Sequence, residues 1–139
     1  MPSFKVDGMD AYITMLEETG ESAALIAKKA LYEGAGMMAT RVRSNLNNAV
    51  SKDATGDLAK SIGISPITLD KDGNWSTRIG FSGYDRKGVP NVLKARVLES
   101  GSSKQKKRPF VRPAVNAVKG SVEKRMKQIF ENELRKRGV

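Results

Sequence analysis

From Glu21 to about Val50 the apolar residues fall at helical spacing: Ala24, Leu31, Ala35, Met38, Val42, Leu46 and Ala49 share one face. A second narrow stripe of Ile26, Ala30, Gly34 and Met37 lies beside it. A helix this long has an apolar face that must be covered, and a small antiparallel sheet with helices on one face would bury it. Gly34 and Gly36 each cost about 1 kcal/mol relative to Ala in a helix, tolerable where another backbone comes close or the helix bends. A helix dense in Ala and Gly on two faces reads as core or subunit packing rather than as a ligand site.

The periodicity then changes. Thr55 can cap a single turn, and Gly56 relieves steric strain as the chain leaves the long helix. Ile62 and Ile64 alternate, Pro66 breaks the run, and Ile67 and Leu69 resume it. Pro66 lacks a ladder donor, which places this strand at an edge or a bulge. The turn residues Asp70-Lys71-Asp72-Gly73-Asn74 come next, and then Trp75, Thr77, Ile79 and Phe81 on one face. The pattern predicts a β-hairpin with one buried face. Residues 82–90 carry no periodicity and predict a mobile loop. Pro90 suits the first position of a segment through Leu93, Val97 and Leu98 that fits a short helix or a strand. Pro113 suits the start of a last helix, with Val115, Val118, Val122, Met126, Ile129 and Phe130 inward and cations at its end.

The expected fold class is α+β in a single domain, 1–139. Its parts are a long helix over 19–50, strands within 57–82 and a helix or strand at 91–99. A basic Pro-containing loop over 102–112 and a C-terminal helix over 113–137 complete it. A further short helix is expected at 9–18, with Met9, Ile13 and Leu16 at helical spacing and Thr19 placed to cap the long helix after it.

With no Cys and no His among 139 residues, there is no thiol nucleophile, imidazole base, zinc ligand set or disulfide framework. Glu17, Glu18 and Glu21, and likewise Glu131 and Glu133, read as solvated helix surface rather than acid–base pairs. Gly34-Ala35-Gly36 lacks the spacing and the preceding strand of a phosphate loop. No enzyme activity, cofactor or metal is expected. The longest uncharged run, Ser61 to Leu69, is far short of the roughly eighteen residues that span a bilayer. The first residues, Met1-Pro2-Ser3-Phe4-Lys5, lack the apolar stretch of a secretory signal.

Charge is distributed unevenly. Residues 1–70 carry 7 Lys+Arg against 9 Asp+Glu, whereas residues 71–139 carry 18 against 6. This describes one basic pole rather than a uniformly basic surface. Its densest point is Lys104, Lys106, Lys107 and Arg108, with Arg112 just beyond. Three readings fit such a run: a solvated loop, a contact with nucleic acid, or a contact with an acidic protein face. Aromatic residues are only 6% of the chain and only Phe110 adjoins the run, so there is no stacking platform for single strands. The last helix is basic and amphipathic, a combination that can lie on anionic lipid, but its apolar stripe is more simply explained as core.

Three motifs occur in order. The first is Thr55-Gly56-Asp57-Leu58-Ala59-Lys60-Ser61-Ile62, with Thr55, Gly56, Leu58 and Ser61 as its defining positions. The second is Glu99-Ser100-Gly101-Ser102, defined by Glu99 and Gly101. The third is Arg108-Pro109-Phe110-Val111-Arg112-Pro113-Ala114, leading into the last helix. This set resembles the minor tail-component family of tailed double-stranded-DNA phages, the head–tail joining or tail-completion proteins, over roughly residues 20–135. Ser100 stands where that family usually has an aromatic residue.

The resemblance implies a virion structural protein assembled as a homo-oligomeric ring in the neck, without enzymatic activity or cofactor. Its partners would be other copies of itself, a head-side connector and tail-side terminator or tube proteins; the basic pole adds non-specific contact with genomic DNA as a separate expectation. It would be located in the virion, and in the host cytoplasm during assembly. The alternative is a basic accessory protein that contacts the DNA backbone without sequence specificity. Pro109 and Pro113 would stiffen residues 108–113 as a protein-interaction segment, presenting Phe110 and Val111 for docking with little entropy to lose. Phe110 plugging its own core is the competing reading.

Overall fold

A computed structural model describes residues 23–50, 55–69, 71 and 75–136. The expected helix at 9–18 and residues 19–22 lie outside the described residues. The architecture is α+β: helix α1 (Ala23–Ala49), one-turn helix α2 (Asp57–Lys60), strands β1 (Ile62–Ile64), β2 (Thr68–Leu69), β3 (Trp75–Ser76) and β4 (Ile79–Phe81), and helices α3 (Asn91–Ser100) and α4 (Val111–Lys136).

The long helix finds its cover in α4. The two run antiparallel, as their pairings show: Lys29 meets Glu133, Glu33 meets Arg125, and Asn45 meets the carbonyl of Phe110. The two expected stripes of α1 merge into one broad buried face. Ile26, Ala27, Ala30, Ala35, Met38, Ala39, Val42 and Leu46 are all in the core, while Leu31 and Ala49 are half-buried. Met37 is a correction: it lies at the edge of that face and is 36% exposed. From α4 come Val111, Ala114, Val122, Met126, Ile129, Phe130 and Leu134, with Val115 and Val118 only partly covered. Burying each large aliphatic or aromatic side chain contributes about 1.5–3 kcal/mol.

The hairpin forms as two short antiparallel ladders. Ile62 pairs with Phe81 and Ile64 with Ile79, whereas Thr68 pairs with Ser76 and Leu69 with Trp75. Between the ladders Ser65, Pro66 and Ile67 oppose only Thr77 and Arg78, so one extra residue makes a bulge at the proline. Ser65 holds the bulge together. Its N–H donates to the Arg78 carbonyl at 2.8 Å, its hydroxyl accepts the Arg78 N–H at 2.9 Å, and its carbonyl accepts the Thr77 hydroxyl at 2.7 Å. The inner face of the first ladder delivers Ile62 and Phe81 to the core, and its outer face is the glycine pair Gly63 and Gly80.

The segment at 91–99 is a helix. Pro90, with ψ 129°, is its cap and not its first residue, and the buried Asn91 ties its start to β4 through the carbonyls of Ser82 and Gly83. The last helix begins at Val111, so Pro113 is its third residue and not its first. Among the described residues no helix is long and apolar enough to cross a membrane.

Candidate interaction surface

The second and third sequence motifs meet in space at the junction between α3 and α4. Glu99, on the last turn of α3, extends its carboxylate to the start of α4. Its Oε1 accepts the N–H groups of Phe110 and Val111, each at 2.8 Å, and its Oε2 accepts that of Arg112 at 3.1 Å. A helix leaves its first N–H groups without internal partners. Here one carboxylate takes three in succession, and Pro113 next in line has no N–H to satisfy. The negative charge also complements the positive end of the helix dipole. Arg108, Pro109 and Phe110 offer no local capping side chain, a sign in the sequence that a cap had to come from elsewhere, though not from where.

Between Glu99 and α4 the chain makes a tight return. Gly101 has φ +80°, and an added Cβ would stand 3.0 Å from the backbone nitrogen of Lys107, so glycine is required twice over. The Ser102 N–H donates to the Gln105 carbonyl at 2.8 Å, and the Ser102 hydroxyl accepts the N–H groups of Lys104 and Gln105. The Arg108 N–H donates to the carbonyl of Leu98 at 2.7 Å, closing the loop onto α3. Lys104, Lys106, Lys107, Arg108 and Arg112 all project from this frame into solvent. The Arg108 guanidinium donates to the Ala49 carbonyl at 3.4 Å, placing a cation at the negative end of α1.

The reading of 108–113 as a segment that presents Phe110 and Val111 for docking is corrected. Phe110 is 0% exposed and Val111 is buried. The ring of Phe110 stands edge-on to Phe81 at 5.8 Å and 77°, joining α4 to the hairpin. Arg108, Pro109, Arg112 and Pro113 remain at the surface. Phe110 and Val111 lie between prolines and arginines in a stretch too short to show periodicity, so the sequence supports docking and core burial alike.

The first motif also has a structural role at each position. Gly56 adopts φ +85° and occupies the cap position of α2, so Thr55 is not the cap, although its hydroxyl still accepts the Asp57 N–H at 3.3 Å. Leu58 is buried, and the buried Ser61 donates its hydroxyl to the Leu58 carbonyl at 2.6 Å. Asp57 accepts the backbone N–H and the guanidinium of Arg86, each at 3.2 Å. Burial opposes the charged form of Asp57, but the Arg86 N–H, the Thr55 hydroxyl and the Arg86 charge outweigh it and hold the carboxyl below its ordinary value.

Loop 82–90, which sequence reading expects to be mobile, is braced from within. Asp85 accepts the N–H groups of Lys87 and Val89 at 2.9 Å and the Lys94 ammonium at 3.0 Å. The Val89 N–H and then Lys94 hold the Asp85 carboxyl below its usual range. Sequence reasoning missed Asp85 altogether and marked Glu99 as a structural motif position without seeing it as the cap of α4.

A shallow cleft of about 310 Å³ lies between α1 and the end of α4. Of its charged groups, Lys29 and Lys136 meet Glu133, and Arg125 meets Glu33 beside the cleft. Among the described residues no three His, Cys, Asp or Glu side chains come together as a metal-binding group. Compared with known proteins, the chain matches no family model, no curated protein and no solved structure.

Proposed function

We propose that this chain is a structural protein of the neck of a tailed double-stranded-DNA phage, without enzymatic activity, that joins head to tail as a homo-oligomeric ring. Its neighbours in that reading are copies of itself, a head-side connector and a tail-side terminator or tube protein. The reading starts from the three ordered motifs. The observation that carries it is the interlock of Glu99, Gly101 and residues 108–113 into one capped junction. Residues separated in sequence form a single device, so the second and third motifs act as one structural unit. The Ala- and Gly-rich face of α1 is occupied by α4, and Phe110 and Val111 by the core. Exposed large apolar side chains remain on α1, at Leu25, Tyr32 and Met37, and as a group within one short stretch, Tyr84, Val89, Val92 and Leu93; subunit contacts in the proposed ring are assigned to the second group.

The test is location. Purified particles carrying an epitope-tagged copy, imaged with labelled antibody, should show label at the head–tail junction, and particles made without the chain should accumulate as unjoined heads and tails. Joined, infectious particles lacking the chain would overturn the reading.

A further inference from the structure

We infer that the loop 102–108, together with Arg112, is a contact surface for the phosphate backbone of duplex DNA, used without reading bases. Three observations converge on it.

The first is a cluster of cations without carboxylate partners. Residues 100–122 contain no Asp or Glu and six Lys or Arg. Lys29, Arg86, Lys94, Arg125 and Lys136 each meet a carboxylate. Single cations such as Arg41 and Lys60 meet none among the described residues, and what sets the loop apart is five such cations within residues 104–112. Among the described residues Lys104, Lys106, Lys107, Arg108 and Arg112 meet none. The nearby Glu99 is turned to backbone N–H groups.

The second is that the cations are mounted and not trailing. The Ser102 turn, the Arg108 N–H to Leu98 bond and the Glu99 clamp fix the backbone that carries them. Less conformational entropy is then lost when a partner is met.

The third is the absence of anything else to bind with. Among the described residues the exposed large apolar side chains lie on α1 and within 84–93, and none lies in the loop. Energetic centres of protein interfaces are built on desolvated aromatic, apolar and Arg anchors. The one large apolar candidate here, Phe110, is in the core. Phosphate contacts need only cations and hydrogen-bond donors, and they carry no base information directly. With no exposed aromatic side chain in the loop there is no stacking on single strands, and the first turn of α4 is tied to Glu99 rather than free to enter a groove.

The experiment measures binding of the intact chain to short labelled duplexes by fluorescence anisotropy, over about 50 to 200 mM salt. Each neutralised phosphate contributes about −0.9 to the slope of log affinity against log salt, so five cations give a slope of up to about −4.5. Replacing three lysines together (Lys104→Ser, Lys106→Ser, Lys107→Ser) should weaken binding at least about tenfold and flatten the slope by nearly 3. The control removes the same charge elsewhere, with Lys60→Ser, Lys87→Ser and Lys124→Ser, and should retain most of the affinity and slope. Unchanged thermal melting of both variants separates the effect from folding.

Equal losses in the two variants would reduce the surface to net charge and overturn the inference. So would tighter binding to polyglutamate than to duplex, which would hand the loop to an acidic protein partner. A marked preference between two unrelated duplex sequences would overturn the absence of base reading. The inference stands apart from the neck assignment: DNA affinity is read on purified protein and location on particles, so either can fail alone.

Discussion

Glu99 shows how much one side chain can organise. Its two oxygens satisfy three backbone donors at the start of a 26-residue helix. Glu99→Ala leaves those donors to find water at a partly covered junction, and a loss of about 1–3 kcal/mol is expected from the unmet hydrogen bonds. Chemical denaturation should show this as a lower midpoint with unchanged slope. Phe110 is the complementary case of a residue whose worth is packing. Truncation to Ala in a fully buried site should cost about 3–5 kcal/mol, and Phe110→Leu clearly less, because less of the volume is emptied. A Phe110→Ala protein that melts like the parent would contradict the placement of its ring against Phe81.

At the scale of elements, two glycines on α1 separate by environment. A Cβ on Gly34 would meet Met126 Sδ at 3.0 Å and Val122 Cγ1 at 3.1 Å, so this glycine sets how closely α1 and α4 approach. Gly36 has nothing within 4 Å. Gly36→Ala should therefore stabilise by about 1 kcal/mol through helix propensity alone, whereas Gly34→Ala should gain less or destabilise, as thermal melting of both variants would show. Loop 82–90 is held by carboxylates, and its anchoring depends on pH. Asp57 and Asp85 both sit below their ordinary value of 3.8, so their contribution is complete above it and is lost as pH falls through the lower folded values. Amide protection of Lys87 and Val89 should fall in that acid range before protection of the core does, and Asp85→Asn should remove the part of the dependence that Asp85 supplies, leaving that of Asp57.

Over the whole molecule the chemistry is divided between surfaces. One carries cations and no exposed large apolar group, at 102–112. The other carries Tyr84, Val89, Val92 and Leu93 beside the braced loop. If the second makes subunit contacts, the double variant Val92→Asp with Leu93→Asp should enter particles about tenfold less, the loss of a central apolar anchor. Its melting should stay close to the parent's, because both side chains are exposed and acidic residues suit the first turn of a helix. Normal incorporation of that variant would place the subunit contact elsewhere.

Periodicity alone determined the class of this protein. Apolar residues at helical spacing on α1 and α4, alternation through 62–81 and the break at Pro66 are local patterns, and each states its own element. The clustering of cations at 104–112 was equally legible, because charge needs no fold to be counted. Only the tertiary structure decided where Phe110 points, that 91–100 is a helix, and that Glu99 caps α4. Phe110 lies in a short stretch between prolines and arginines that shows no periodicity, Val and Leu serve strand and helix alike, and a missing local cap does not say which residue supplies one. Burial and long-range hydrogen bonds are properties of where the chain returns. That return turned a segment that looked ready for docking into a core residue beneath a bare basic loop.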